Sequence, residues 1–362
     1  MIGRKTALDD RKGGRDERRK GLEMRRLAFA STSVLITWFG MSLTTVPLAA
    51  QAPTAGSKQT AGKAYAPPRT PDGRPDFQGV WNFATITPLE RPDSLAGKSV
   101  LTDEDVAKAE ADGAESRIDR APRKGDVGAY NQFWIDRGTK VVSTRQTSLI
   151  VDPPDGKLPA FTPQGETTQQ ALTAARKRNA GPEDRYLAER CIVGFNAGPP
   201  MLSSAYNNLV QMFQIPGYVV ILNEMVHSWR VVPTDGRPHG TLRQWSGDSS
   251  GRWDGDTLVI DTINFREDGI GVLSQKLQGT DKNLHVVERI RRLDADTLMY
   301  EFRVDDPTVW TKPWSGAMPM NKTTEGIFEY ACHEGNYGMS GILTGARADE
   351  RAATEAASAG KK

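Results

Sequence analysis

Two short segments, 40 residues apart, constrain the fold of this chain more than any other feature. Residues 252–258 have the sequence RWDGDTL, and residues 292–298 have the sequence RLDADTL. In both, an Asp-x-Asp turn signal separates stretches of alternating apolar and polar side chains, which is the pattern of a half-buried antiparallel strand. A propeller would need more than two copies of such a unit. We therefore expect two similar hairpins within one antiparallel meander.

The alternating pattern extends over residues 217–304 and predicts a mainly β fold. We expect the antiparallel meander to close into a barrel or a sandwich, and a lipocalin-like barrel is one form of it. Helical patterns near 102–119 and 164–190 indicate a few peripheral helices, and a last strand is expected near 326–332. These elements together predict one β-rich domain over residues 70–345, followed by a charged, Ala-rich tail over residues 346–362.

The amino-terminal residues have the order of charges and apolar side chains found in secretory signal peptides. Residues 1–23 are basic and polar, residues 27–43 are apolar, and small residues follow at 49–52. We expect a signal peptide with a basic extension over 1–52 and a flexible linker over 53–69. The alternative is a single membrane anchor, although the apolar run is short and contains Ser and Thr. A cleaved signal predicts a periplasmic or secreted protein without stable membrane insertion.

The chain has two cysteines, Cys191 and Cys332. An oxidising compartment and an even number of cysteines permit one disulfide between them. Two free buried thiols are the alternative. A catalytic thiol is a third, weaker hypothesis, since it rests only on the position of His333 beside Cys332.

Charged side chains on apolar strand faces are the main indication of a functional site. Parity along the predicted strands places Glu288 and Asp261 on faces that are otherwise apolar. A long strand predicted over 218–232 would likewise place Glu224 and Arg230 on one face with Val220, Leu222, Val226 and Val232. Such groups either form an internal ion pair or line a polar pocket.

If they line a pocket, its carboxylates are candidates for acid/base catalysis. The candidate catalytic residues are Glu288, Asp261, Glu224 and His227. The candidate substrate-binding residues are Arg230, Tyr206, Asn208, His239, His333 and Trp253.

Neither a cofactor nor a nucleic-acid partner is predicted. The histidines His227, His239 and His333 would converge on a metal only if their loops fold together, and their spacing matches no known ligand pattern. Basic residues outside the leader are scattered among acidic ones, which excludes a basic platform for nucleic acid. The expected partner is a small molecule.

Several motifs taken together resemble a family of secreted bacterial proteins found in soil bacteria and related proteobacteria. The resemblance spans residues 68–350, and the motifs are PDGRPDFQGVW at 71–81, GRWDGDTLVIDT at 251–262, LHVVERIRR at 284–292, TKPW at 311–314 and YACHEGNY at 330–337. It implies one exported domain and brings no activity with it.

Three hypotheses of function follow from these observations. The first is an exported enzyme, hydrolase-like or lyase-like, that acts on a small organic molecule or glycoside by acid/base chemistry. The second is a non-catalytic, lipocalin-like ligand-binding protein, and the third is a structural protein of the cell envelope. The arrangement of the polar strand residues discriminates among them, since an open cavity favours the first two and a dry ion pair disfavours them.

Overall fold

The structure is a computed structural model that describes residues 65–118, 135–266, 279–280 and 282–360. The expected signal peptide and most of the expected linker lie outside these residues. The described residues form ten strands, which are β1 (Gly79–Asn82), β2 (Ile150–Asp152), β3 (Leu209–Ile215), β4 (Tyr218–Asn223), β5 (Trp229–Pro233), β6 (Asp248–Asp254), β7 (Thr257–Ile263), β8 (His285–Arg292), β9 (Thr297–Asp305) and β10 (Trp314–Thr323). They also form three α-helices, which are α1 (Asp103–Glu115), α2 (Pro163–Arg178) and α3 (Tyr337–Ala359).

The ten strands form one antiparallel sheet that curls into a nearly closed barrel. The strand order is β5-β4-β3-β1-β10-β9-β8-β7-β6, with β2 paired to β10. The two end strands approach each other, and the loop after β5 is tied to β6 where Gly236 N donates to Gly251 O at 2.9 Å. The mainly β barrel with a few peripheral helices, expected from the alternating pattern, is confirmed.

The two matching segments are the hairpins β6–β7 and β8–β9, and they are neighbours in the sheet. Strand β7 pairs with β8, so the four strands form one continuous meander, as expected. Gly255 in the first turn has φ +58°, a left-handed conformation that glycine adopts without a steric penalty.

Aromatic rings from β9 and β10 fill a large part of the barrel interior. The Phe302 ring lies 5.6 Å from the Tyr300 ring and 5.6 Å from the Trp314 ring, measured between centroids. Gly316 on β10 pairs with Phe302, and a Cβ at this position would lie only 2.3 Å from Phe302 Cζ. Glycine is therefore required there, because the ring occupies the space of a side chain.

The long strand predicted over residues 218–232 is wrong, because the chain reverses direction within it. Strand β4 ends at Asn223, and Leu222 pairs across a hairpin with Trp229 at the start of β5. The reversal changes the parity, so Val219 and Ile221 face the interior and Val220 and Leu222 face outward. The expected inward direction of Arg230 and Val232 is correct.

Strands β3, β4 and β5 carry apolar side chains on their outer surface. Phe213, Val220 and Val231 are cross-strand neighbours in one row, and Leu222 and Trp229 are neighbours in the next. The side chains of Trp229 and Ile215 are 65% and 60% exposed. We call this surface the outer apolar face, and its members are Phe213, Ile215, Val220, Leu222, Trp229 and Val231.

The helices lie near their expected positions. Thr102 caps α1 in a reciprocal arrangement with Asp105, and Thr162 caps α2 by accepting from Gly165 N. Two further expectations are wrong: the helical pattern near 164–190 forms an α-helix only as far as Arg178, with a short 3-10 turn, Pro182–Asp184, after it, and residues 326–332 form no strand. None of the described helices has the length and apolar character needed to cross a bilayer.

Candidate functional site

The carboxylate of Glu288 lies in the barrel interior and is fully paired. Its two oxygens accept hydrogen bonds from Arg230 Nη1 at 2.7 Å and Arg230 Nη2 at 2.8 Å, and Oε1 also accepts from Tyr300 Oη at 2.7 Å. Tyr300 Oη in turn accepts from Met201 N at 2.9 Å. Glu288 and Tyr300 are 0% exposed and Arg230 is 7% exposed. Both oxygens of this carboxylate are thus occupied by protein donors, in a cluster that is buried from solvent.

The surroundings of Arg230 and Tyr300 in this interior cluster favour the protonated form of both side chains. Burial disfavours the charge on Arg230, but the charge and hydrogen bonds of Glu288 outweigh it, so the pKa of the guanidinium is raised. Burial, together with the charge of Glu288, raises the pKa of Tyr300 well above its usual value. Arg230 and Tyr300 therefore keep their protons at neutral pH, so neither serves as a proton acceptor.

Asp261 lies on the opposite side of the barrel wall, where it joins two histidines. Its Oδ1 is 2.9 Å from His239 Nε2, and its Oδ2 is 2.8 Å from His285 Nε2. The hydrogen bond from His285 lowers the pKa of Asp261 against the opposing effect of burial. The same bond raises the pKa of His285, again against burial. We call these three residues the outer histidine cluster.

Glu224 is buried at the end of β4. Its Oε1 accepts a hydrogen bond from Phe328 N at 3.2 Å. Burial raises the pKa of this carboxyl, and the hydrogen bonds from Phe328 N and the Asn207 side chain oppose the change. Glu224 therefore holds the segment around residue 328 against the barrel end.

The other sequence-predicted residues are dispersed. Asn208 is buried, and its side chain donates a hydrogen bond to Asp136 O at 2.8 Å and accepts one from Ser204 N at 2.8 Å. Tyr206 stacks on Tyr330, with 6.2 Å between ring centroids. Trp253 packs on Phe77 with its ring half-buried, and His333 is exposed in the segment before α3. The four candidate catalytic residues thus lie at three places: Glu288 in the interior, Asp261 on the outer side of the barrel wall, and Glu224 and His227 in the turn after β4, where His227 N donates to Glu224 O at 3.2 Å.

The two cysteines form the expected disulfide, with 5.7 Å between their Cα atoms. The bridge joins the segment before β3 to the segment before α3, across 141 residues of sequence. Asn336 reinforces this junction by donating to Glu189 O at 2.8 Å.

A cleft of about 520 Å³ opens beside this junction, at the rim of the barrel. Three parts of the chain form it: the segment at Cys191, the turn between β4 and β5, and the loop before β6 together with the residue Arg266 after β7. We call it the rim cleft, and its lining residues are Cys191, Ile192, Val193, Val226, His227, Ser228, Trp229, Arg243, Gln244, Trp245, Ser246 and Arg266.

Three residues that line the rim cleft have left-handed backbone conformations that are unusual for their side chains. Cys191 has φ +57°, Val226 has φ +55° and His227 has φ +40°. Such a conformation is costly for a β-branched residue, on the order of 1–3 kcal/mol, and strained residues are concentrated at functional sites in proteins. The strain makes this wall a candidate site on grounds independent of its shape.

The walls also approach each other closely. Gly194 lies against Met225, and a Cβ on Gly194 would lie 2.4 Å from Met225 Cγ and 2.8 Å from Met225 O. Glycine therefore permits the segment after Cys191 to pack on the turn between β4 and β5, which sets the width of the cleft.

The chemistry of the rim cleft combines indole rings with cationic side chains. The guanidinium carbon of Arg266 lies 4.3 Å from the centroid of the Trp245 ring, and Arg243 donates to Phe265 O at 3.1 Å. Trp229 extends into solvent on the opposite wall. The described residues that line the cleft include no Asp or Glu.

Of the sequence-predicted site residues, the rim cleft contains only His227 and Cys191. Arg243, Gln244 and Arg266 were missed, because each lies in a loop without a recognisable motif. Trp245 had a detectable signal, since a Trp beside Gly247 in a loop is available for stacking on a ligand.

The described residues include no group of three or more His, Cys, Asp or Glu side chains arranged to hold a metal ion.

Comparison with known proteins gives little further information. No family model matches the chain, and no curated protein matches it. A solved structure that matches is the crystal structure of a secretary abundant heat soluble (SAHS) protein from Ramazzottius varieornatus, at 10% sequence identity and a TM-score of 0.22. The match covers 32% of this chain and 70% of that chain. A likeness at this level carries no argument about fold or function.

Proposed function

We propose that this protein is a non-catalytic ligand-binding barrel, which takes a small, flat, negatively charged molecule in the rim cleft. The observation that carries the proposal is the composition of the cleft, where the rings of Trp229 and Trp245 lie among the side chains of Arg243 and Arg266, and the guanidinium of Arg266 lies 4.3 Å from the Trp245 ring. Indole rings bury flat apolar groups, and guanidinium groups bind carboxylates and sulfonates through paired hydrogen bonds.

The acid/base enzyme hypothesis has less support than the binding hypothesis. General acid/base catalysis requires a proton donor or acceptor within hydrogen-bond reach of the substrate. Glu288 is enclosed by Arg230 and Tyr300, and Asp261 faces the opposite side of the barrel wall. His227 is the one imidazole among the described lining residues of the cleft, and none of those residues is an Asp or Glu.

The proposed location is an oxidising compartment, periplasmic or extracellular. The disulfide supports it, because such bridges persist where thiols are not kept reduced. The sequence of residues 1–43, which is first basic and then apolar, is a second observation that supports export.

A fluorescence titration with 8-anilinonaphthalene-1-sulfonate tests the proposal, because this probe is a flat aromatic anion. The uncharged analogue N-phenyl-1-naphthylamine serves as the matched probe. We expect one site for the anion, with the Kd for the uncharged analogue about tenfold higher, which corresponds to roughly 1.4 kcal/mol. Trp229→Ala and Arg266→Gln should each weaken binding of the anion by a similar factor.

Phe213→Ala is the matched control, because Phe213 is an exposed ring on the outer apolar face and is not part of the cleft. The control should bind the anion as the wild type does. Equal weakening by Phe213→Ala and Trp229→Ala would instead place the probe on the outer apolar face. Equal affinity for the two probes would contradict the proposed preference of the cleft for a negatively charged ligand.

A further inference from the structure

The outward side chains of β3, β4 and β5 form a regular array in which no member is charged. Cross-strand pairing arranges them in three rows, and each row has one residue from each strand. The rows are Ile215–Tyr218–Pro233, Phe213–Val220–Val231 and Gln211–Leu222–Trp229. Six of these residues are the outer apolar face, and its members Phe213, Ile215, Trp229 and Val231 are exposed to solvent. A contiguous apolar surface of this kind marks an interaction site in soluble proteins.

The far side of the barrel has the opposite character. Three strands separate β4 from β9 in one direction around the barrel, and three separate β4 from β8 in the other. The outward cross-strand pairs of β8 and β9 are charged: they include Arg289 with Glu301 and His285 with Asp305. The barrel exterior therefore has one charged side, which suits water, and one uncharged side, which does not.

The size of the uncharged array bears on what covers it. Neighbouring strands lie about 4.8 Å apart, and side chains on one side of a strand repeat about every 6.8 Å, so the three rows cover about 15 Å by 20 Å, or roughly 300 Å². A stable protein interface buries about 800 Å² of each partner. Even twice the flat area, to allow for the relief of side chains, is too small for a stable dimer. A bilayer has no such minimum, because each apolar side chain that leaves water contributes in proportion to its own area.

Aromatic and cationic side chains lie at the ends of the array. Trp229 belongs both to the outer apolar face and to the lining of the rim cleft, so the two surfaces meet there, and Arg243 and Arg266 line the same cleft. At the other end, the guanidinium carbon of Arg237, which is paired with Asp235, lies 5.4 Å from the centroid of the Tyr218 ring. Trp and Tyr rings favour the boundary between lipid tails and water, and cations beside that boundary attract anionic headgroups.

We propose that the outer apolar face docks on the surface of an anionic lipid bilayer. In this orientation Phe213, Ile215 and Val231 contact the boundary of the acyl chains, Trp229 lies at the level of the headgroups, and the charged side formed by β8 and β9 stays in water. The docking does not depend on the ligand proposed above, because Trp229 is the only one of the nine outward residues that lines the rim cleft.

Hydroxyl-radical footprinting of the full chain tests the docking side chain by side chain, so the result does not depend on what else attaches the chain to a vesicle. The probe is vesicles of phosphatidylcholine with about 30% phosphatidylglycerol, which have a negative surface potential. We expect oxidation of Phe213 and Trp229 to fall by about threefold or more when vesicles are added, while Phe161 and Tyr337, exposed rings outside the array, keep their rates. Unchanged oxidation of Phe213 and Trp229, or an equal fall at the reference rings, would overturn the proposal. Protection that appears without vesicles and grows with protein concentration would assign the face to a second copy and overturn it as well.

Two double variants and a second kind of vesicle identify the groups responsible. Ile215→Ser/Val231→Ser should lose most of the protection at Phe213 and Trp229, yet bind the aromatic anion as the wild type does, because neither residue lines the rim cleft. Val100→Ser/Val151→Ser is the matched control, since both valines are exposed and lie outside the array, and it should be protected as the wild type is. Vesicles of phosphatidylcholine alone should protect the wild type less, and equal protection by the two kinds of vesicle would contradict the anionic preference. A wild type without protection overturns the docking even if Ile215→Ser/Val231→Ser fails to fold.

Discussion

Arg230 and Glu288 meet inside the barrel through two parallel hydrogen bonds of 2.7 and 2.8 Å. The two residues come from β5 and β8, which are not neighbours in the sheet, so the pair spans the interior. An ion pair of this kind contributes little net stability relative to an apolar replacement, but breaking it leaves a buried charge without a partner. The pair therefore has the properties of a structural element, and it leaves no face of the carboxylate open to a substrate.

We expect Glu288→Gln to lower the free energy of unfolding by about 3–5 kcal/mol, because Arg230 would remain buried beside a neutral amide. The double variant Arg230→Met/Glu288→Leu should recover most of this loss. Urea denaturation of the wild type and both variants measures the effect. A loss below about 1 kcal/mol in Glu288→Gln would show that water reaches the guanidinium, and the interior would then be open.

The hairpin at residues 223–229 is tested by two neighbouring apolar residues. Ile221 is 0% exposed in the core, whereas Leu222 is on the outer apolar face. We expect Ile221→Ala to cost about 2–5 kcal/mol of unfolding free energy and Leu222→Ala less than about 1 kcal/mol. The same denaturation experiment measures both. A larger loss for Leu222→Ala than for Ile221→Ala would contradict the hairpin and support the single long strand predicted from the sequence.

The disulfide should stabilise the fold through the long loop that it closes. We expect the double variant Cys191→Ser/Cys332→Ser to lose about 2–5 kcal/mol, since a bridge across 141 residues removes much of the freedom of the unfolded chain. Reduced wild type should unfold at the same urea concentration as this variant. If the variant and the oxidised wild type unfold at the same urea concentration, the disulfide adds no stability. The junction would then be held by other contacts, such as the hydrogen bond from Asn336 to Glu189 O.

Glu224 should give a stability change with pH that is opposite to the usual one for a carboxylate. Its pKa is raised by burial, so the folded protein binds its proton more tightly, and this contribution to stability falls as the pH rises through the raised value. We expect Glu224→Gln to be more stable than the wild type at pH 7, with the difference vanishing near pH 4. Thermal unfolding at several pH values measures it. A variant less stable than the wild type at pH 7 would mean that the charge is needed by Phe328 N.

Much of the fold could be predicted because alternation along a strand reports its buried face. The matching hairpins, the barrel and the disulfide all followed from local patterns or from the number of cysteines. The reversal between β4 and β5 could not be predicted in this way. Residues 224–228 of its turn contain no Gly or Asn, the residues that normally indicate a tight turn, and Val226 and His227 have strained backbone conformations instead. The resulting change of parity turned Val220 and Leu222 outward.

The candidate site was less predictable than the fold for a different reason. The walls of the rim cleft come from three loops that are distant in sequence, and their convergence depends on the closure of the barrel and on the bridge at Cys191. Parity arguments apply to strands and carry no information on loops. They located Glu288 and Arg230 in the interior, where the two residues form an ion pair.

The packed interior of this barrel stabilises the fold, and a different part of the molecule, the loops at the rim, forms the cleft. Rings and an ion pair occupy the centre of the barrel, whereas loops form the rim cleft, and loops can change in length and sequence while the strands stay the same. A graft of residues 234–247 from a chain of the same fold would therefore replace one wall of the rim cleft and leave the core unchanged.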